Sequence, residues 1–415
     1  MDFTRKRWIS LVAAMSCALQ AGLLYSWSVF VLPLSTKYGW TPSSVSIAYT
    51  LNVVAMALVP IVCGKLRARM PIRQYCLVGS AIYCSGTILC GFMLSSVYEL
   101  YVYFGIMVGA GNGFIYLSLA SYVVQLFPDK KGFAAGLYTS SYGCGALFWA
   151  PAAGYIIQAT GDVSNAFIYL GILFSVGLVI STRFLHEVPQ GYEGEARRTA
   201  SDKAEPLREP ARDVSPKELL RSPVYYLVVS LYTFGLIGGM MVLALGSPIV
   251  QAVLSYTPEQ AALIVGLFAV ASSGGRLVWG WISDILGRTV VLLLLGLITC
   301  CCMLVLASAD AEAVFLAALL AIPMCYGAYA ATLPPVAVET FGAKYFSMNY
   351  NFLFIAFGMA ALVGPQVVAY AQSASGEFEG AFLYGTAFGA ASSIAALIFL
   401  IVARSQHQED KSRCH

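Results

Sequence analysis

The chain has 415 residues, of which 59% are hydrophobic and 11% charged, with a net charge of +3 and a mean hydropathy of +0.75. Soluble domains carry about 25% charged residues, and a single soluble core stops growing near about 250–300 residues. Lipid must therefore be the solvent for much of this surface, and with no basic tract interleaved with aromatics a nucleic-acid partner is excluded.

Met1 to Arg7 carries three basic residues and leads into an apolar run to about Leu34. That run is longer than the core of a cleaved signal and has no small-residue cleavage site, so it reads as a first membrane helix. Apolar stretches of spanning length follow near 43–66, 73–95, 98–126, 132–157 and 165–186, and again near 223–250, 259–284, 288–309, 311–340, 344–373 and 378–404. The expectation is an all-α membrane protein with twelve transmembrane helices in two pseudo-symmetric six-helix bundles. The domains are then residues 1–186, a charged and proline-bearing linker over 187–222 with a short amphipathic piece at Pro216–Arg221, residues 223–406, and a tail over 407–415. Of the 24 Lys and Arg residues, 22 fall at one end of the helices if the N-terminus is cytoplasmic; Lys37 falls at the other end and Arg276 inside a helix. That division follows the positive-inside rule and puts both termini in the cytoplasm, in a cell inner membrane or plasma membrane.

The halves echo each other. Thr41-Pro42 and Thr257-Pro258 each open a helix with proline at its first position, and Gly64 and Gly280 keep the same offset. Phe127, Lys130 and Pro151 match Phe341, Lys344 and Pro365. A repeat of half the chain is the mark of transporters built from two related bundles. Gly105, Gly109, Gly111, Gly113, Gly143 and Gly145 permit close helix contact.

Most of the eleven cysteines sit in apolar stretches, where cysteine acts as a small hydrophobe. No CxxC pair or His-bearing spacing offers a metal site, no cofactor motif is present, and no nucleophile–base constellation supports an embedded enzyme.

Arg276, in Ala271-Ser-Ser-Gly-Gly-Arg276-Leu-Val-Trp-Gly280, lies eight residues before Asp284, about 12 Å from the end of its helix. Arginine at such depth costs about 2.5–3.5 kcal/mol or more on insertion scales and marks function. Its planar fork suits bidentate capture of a carboxylate. No Asp or Glu falls deep in any apolar stretch; Glu339 and Asp284 are nearest, both toward helix ends. An anionic ligand follows. Tyr25, the pair Asn112 and Tyr116 four residues apart, and the pair Tyr326 and Tyr329 three apart supply hydroxyl and amide groups for a small-carboxylate site. In Gly280-Trp-Ile-Ser-Asp284-Ile-Leu-Gly287-Arg288, Asp284 and Arg288 can lock helix ends by a charge network, and Glu339 and Asp284 are the candidates for coupling to a proton. The first-half counterpart, Gly64 to Arg69, lacks the acid.

At this point the chain resembles the major facilitator superfamily, through Gly280–Arg288. More narrowly it is similar to the oxalate:formate antiporter and monocarboxylate transporter group, in Tyr25 to Pro33, Phe127-Pro-Asp-Lys-Lys-Gly132 through Tyr142-Gly-Cys-Gly145, and Gly274-Gly-Arg276 into Asp284. The resemblance implies a major facilitator fold and alternating access around a central site, with Arg276 as the substrate-carboxylate arginine and Asn112 and Tyr116 as pocket residues. It also implies a departure: where the antiporter has a second buried cation, this chain has Phe357. One cation compensates a dianion poorly, so a monocarboxylate such as lactate, pyruvate or formate is expected. Oxalate/formate-type exchange and export of another organic or amphipathic compound are the alternatives. The expected partners are the small carboxylate, a proton as candidate coupling ion, and the bilayer, with the protein as a monomer.

Overall fold

A computed structural model describes residues 3–67, 69–189, 192, 213–309, 311–375 and 378–413. Most of the expected linker, residues 193–212, and the last two residues of the tail lie outside the described residues. The described secondary structure is helical throughout: α1 (Phe3–Ala21), α2 (Ser28–Tyr38), α3 (Pro42–Arg67), α4 (Ile72–Phe92), α5 (Val97–Leu100), α6 (Gly109–Leu126), α7 (Lys131–Gly143), α8 (Gly145–Thr160), α9 (Val163–Thr182), α10 (Pro216–Leu219), α11 (Pro223–Leu254), α12 (Pro258–Leu286), α13 (Arg288–Ser308), α14 (Glu312–Phe341), α15 (Phe346–Leu353), α16 (Ile355–Ser375) and α17 (Glu379–Arg413). Among the described residues eleven helical stretches are long and apolar enough to cross a membrane. The expected span over 132–157 is the exception, because it is broken at Cys144 into α7 and α8, of 13 and 16 residues.

The helix starts were written into the local sequence. Thr257 Oγ1 accepts from the Gln260 amide in a capping box with Pro258 at the first position, and Thr41 Oγ1 accepts from the Ser44 amide ahead of α3. Each side-chain oxygen satisfies a backbone donor that has no intrahelical partner. At the far end of α12, Gly287 has φ +85°, a conformation that costs an L side chain about 1–2 kcal/mol, and the chain turns there directly into α13.

The chain forms two compact units, one of Met1–Arg212 with Val338–Phe352, the other of Asp213–Ala337 with Leu353–His415. In the first, α4 packs on α6 and α9, and α3 on α6. Glycine makes these approaches possible: a Cβ at Gly111 would stand 2.5 Å from the Tyr83 nitrogen, and one at Gly113 2.6 Å from the Met56 carbonyl oxygen. Two irregular stretches meet in this unit. Residues Gly22–Ser26 wind as a 3₁₀ turn, and Gly22 rests against Gly145, so close that a Cβ on Gly145 would lie 2.7 Å from the Gly22 Cα. In the second unit α13 packs along α17, and α11 on α16 and α17. Large apolar side chains stand outward at high exposure, Val62 at 81% and Leu263 at 72%, as expected where the surrounding solvent is hydrocarbon.

Candidate functional site

In the second unit the site is built on the crossing of α12 and α14. Ala271-Ser-Ser-Gly-Gly-Arg276 supplies small residues on α12, and Gly327 supplies one on α14. A Cβ on Gly275 would meet the Met324 carbonyl oxygen at 2.1 Å, and one on Gly327 the Ser272 carbonyl oxygen at 2.0 Å, so the two backbones touch. Arg276 sits in this contact. Its side chain is 1% exposed, and its Cγ would be 3.1 Å from a Cβ on Gly327. The outward side of α12 is marked by the exposed Leu263, Leu267, Val270, Val278, Trp281 and Ile285, whereas Ser272, Arg276 and Ser283 are buried. The guanidinium stem is thus held on the protein side of the helix, not at the lipid surface.

Tyr326, next to Gly327, packs against Gly239 of α11 and meets Phe357 edge-on, with ring centroids 6.0 Å apart and planes at 75°. Phe357 in turn stacks on Phe354 at 4.6 Å, beside the turn that separates α15 from α16. Tyr326 and Phe357 are therefore brought together. Tyr329 is placed differently: its ring lies over Gly235, its hydroxyl is 3.1 Å from Ser392 Oγ, and Tyr232 meets it edge-on at 5.7 Å. Its polar group serves the α11–α14–α17 packing.

The first unit carries a second cluster. Asn112 is fully buried and donates through Nδ2 to the Tyr142 hydroxyl at 2.8 Å. Tyr116, one turn on along α6, lies 4.4 Å from the Tyr142 ring, and Tyr25 meets that ring edge-on at 5.3 Å. Asn112, Tyr116 and Tyr25 thus converge on Tyr142, which stands just before the break at Cys144. Tyr138 adds a ring 5.6 Å from Tyr116. Sequence reasoning did not select Tyr142 or Tyr138, since no spacing rule links residues 30 apart on different helices; the one signal was that the Phe127–Gly145 stretch contained both.

Asp284 and Arg288 pair across the turn at Gly287, and Arg288 also donates to Ser283 Oγ at 2.5 Å, which itself donates to the Gly280 carbonyl. The motif forms a local charge and hydrogen-bond network at the α12–α13 junction. Glu339 is exposed near the end of α14. In the first unit, Lys37 Nζ lies 2.6 Å from Asp162 Oδ1 and 2.7 Å from Ser164 Oγ, tying α2 to the start of α9. Two cavities among the described residues, of about 390 and 360 Å³, are lined by none of the candidate residues.

The sequence profile of the Major Facilitator Superfamily matches residues 11–365 and again 246–414. The chain is 24% identical over 87% of its length to an MFS-type transporter of Escherichia coli K12, covering 87% of that protein. It is 26% identical over 86% of its length to the oxalate:formate antiporter of Oxalobacter formigenes, covering 83% of it. Monocarboxylate transporter 12 of Rattus norvegicus is 23% identical over 86% of the chain, with 77% of that protein covered. Among solved structures, the E. coli fucose:proton symporter superposes with a TM-score of 0.71 at 15% identity, over 95% of this chain and 99% of that one. A proton:xylose symporter gives 0.74 at 15% identity, over 96% of each chain. With the all-helical fold and the half-chain echo already in hand, the profile match across the whole of both halves settles the assignment: this multi-pass membrane protein is a transporter belonging to the Major Facilitator Superfamily.

Proposed function

We propose that the protein moves a small monocarboxylate of the lactate, pyruvate or formate kind across the membrane by alternating access, with Arg276 binding the carboxylate. The observation that carries this reading is an arginine 1% exposed in the inner part of a spanning helix, held against Gly327, whose chain neighbour Tyr326 forms an aromatic corner with Phe357. A buried guanidinium matches a carboxylate in charge and in its planar, two-pronged geometry. The names of two relatives, an oxalate:formate antiporter and a monocarboxylate transporter, support a carboxylate as cargo. Phe357, packed on Phe354 and Tyr326, supplies no second positive charge, which favours a monoanion over oxalate. In the first unit Tyr25, Asn112 and Tyr116 are the substrate-binding candidates, and Asp284, Arg288 and Glu339 the gating and coupling candidates. The assignment from sequence of 22 of the 24 Lys and Arg residues to one side of the membrane supports cytoplasmic termini.

Uptake of labelled lactate, pyruvate, formate and oxalate into proteoliposomes tests the reading. Wild-type protein is expected to take up at least one monocarboxylate, and Arg276→Ala to lose that uptake while still inserting and melting as a folded protein. Uptake of oxalate alone, or monocarboxylate flux untouched in Arg276→Ala, overturns it. Repeating the assay with an inward proton gradient separates symport, which responds, from exchange or facilitated diffusion.

A further inference from the structure

We infer that the indole N–H of Trp279 is a second donor to the substrate carboxylate, acting with Arg276; this rests on the carboxylate reading above. Trp279 follows Arg276 by three residues on α12, which places it about 4.5 Å further along the axis and about 60° around it. Residues so spaced share a face. Side chains on a helix lean toward its N-terminus, so the indole sweeps back over the turn that carries Arg276. The opposite side of the helix is the one marked by the exposed Val278 and Trp281, whereas Trp279, itself half-buried, falls by helical spacing on the side of the buried Ser272, Arg276 and Ser283.

The indole nitrogen is buried and makes no hydrogen bond among the described residues. A buried N–H with no acceptor bears the full loss of its hydration, and folded proteins leave few such groups unmet. Tryptophan can only donate, and a carboxylate can only accept, through two oxygens with about four lone-pair sites. The carboxylate proposed to bind at Arg276 is therefore an acceptor of the kind the Trp279 N–H needs. Two donors from one helix turn would fix the carboxylate plane and leave the rest of the substrate directed away from α12. A ring with no N–H at this position keeps the packing and removes only that grip.

Trp279→Phe is the test, read as initial uptake rates over a range of concentrations of whichever monocarboxylate the wild type carries. The expected result is a KM raised about tenfold, Vmax retained, and an unchanged melting temperature without substrate. If Trp279→Phe does not fold, site-specific replacement by 3-benzothienylalanine, which keeps the two-ring shape and puts sulfur where the N–H was, gives the same measurement. An unchanged KM in either variant, with Arg276→Ala inactive, overturns this inference alone. Flux that survives Arg276→Ala removes the carboxylate reading and this inference with it.

Discussion

Gly275 and Gly274 are neighbours on one helix, yet alanine is expected to have opposite effects at the two. At Gly274 a Cβ meets nothing within 4 Å, whereas at Gly275 it would stand 2.1 Å from the Met324 carbonyl oxygen and 2.8 and 2.9 Å from that residue's carbonyl carbon and Cα. Non-bonded heavy atoms settle at about 3.5–4.0 Å, and the obstacle is backbone, which has no rotamer to yield. Relief therefore requires α12 and α14 to part by about 1 Å. Overpacking of this kind costs about 1–3 kcal/mol, while alanine at Gly274 gains up to about 1 kcal/mol from helix propensity. Because Arg276 adjoins Gly275 and rests on Gly327, the same parting moves its guanidinium. Melting of the two purified variants in detergent, with uptake kinetics in liposomes, checks this: Gly275→Ala should melt below wild type and show a higher KM, and Gly274→Ala should match or exceed wild type in stability. Equal melting and equal KM for the two variants would refute the close crossing.

Tyr142→Phe should lower stability by about 1–3 kcal/mol, because it takes the acceptor from a fully buried Asn112 amide; a melting temperature equal to wild type would count against that network. Asp284→Asn should cost about 1.5–3 kcal/mol, since the buried Arg288 loses a charged partner, as read from thermal unfolding. In the first unit, the hydrogen bond from Lys37 holds the Asp162 carboxyl below its usual range, ahead of the opposing effect of burial. Burial acts to lower Lys37, and the hydrogen bond with Asp162 and the neighbouring charges outweigh it, so the ammonium is held above its ordinary value of 10.5. A carboxyl depressed on folding contributes stability that is present above its unfolded pKa of about 3.9 and lost as pH falls through the lower folded value. The raised lysine contributes stability that is present below 10.5 and lost as pH rises through its higher folded value. Both side chains are more than a third exposed, so screening limits the effect to within about 1 kcal/mol. Melting measured between pH 3 and 6 should fall with acid in wild type and less in Asp162→Asn, which keeps a capping oxygen at the start of α9.

Much of this molecule can be read along the chain. Thr257-Pro258 announced the start of α12, and of the twelve apolar runs expected to span, all but that over 132–157 are matched by helical stretches long enough to cross a membrane, since caps and insertion free energies depend on residues near one another in sequence. The break at Cys144 was not legible: residues 132–157 read as one apolar run, and it is the approach of Gly22 that accompanies two shorter helices there. The convergence of Asn112 and Tyr116 followed from their spacing, but their common partner Tyr142 did not.

Tyr326 and Tyr329 mark the boundary between the two kinds of knowledge. Their shared helix and their separation of three residues followed from composition and period. That one meets Phe357 while the other turns its hydroxyl to Ser392 depends on which faces of α14, α16 and α17 meet. Residence in lipid, the spans and the depth of Arg276 are sums over consecutive residues, and a linear chain carries such sums. The contacts of Gly275 with Met324 and of Arg276 with Gly327 are products of packing between helices distant in sequence, so only the folded arrangement could decide them.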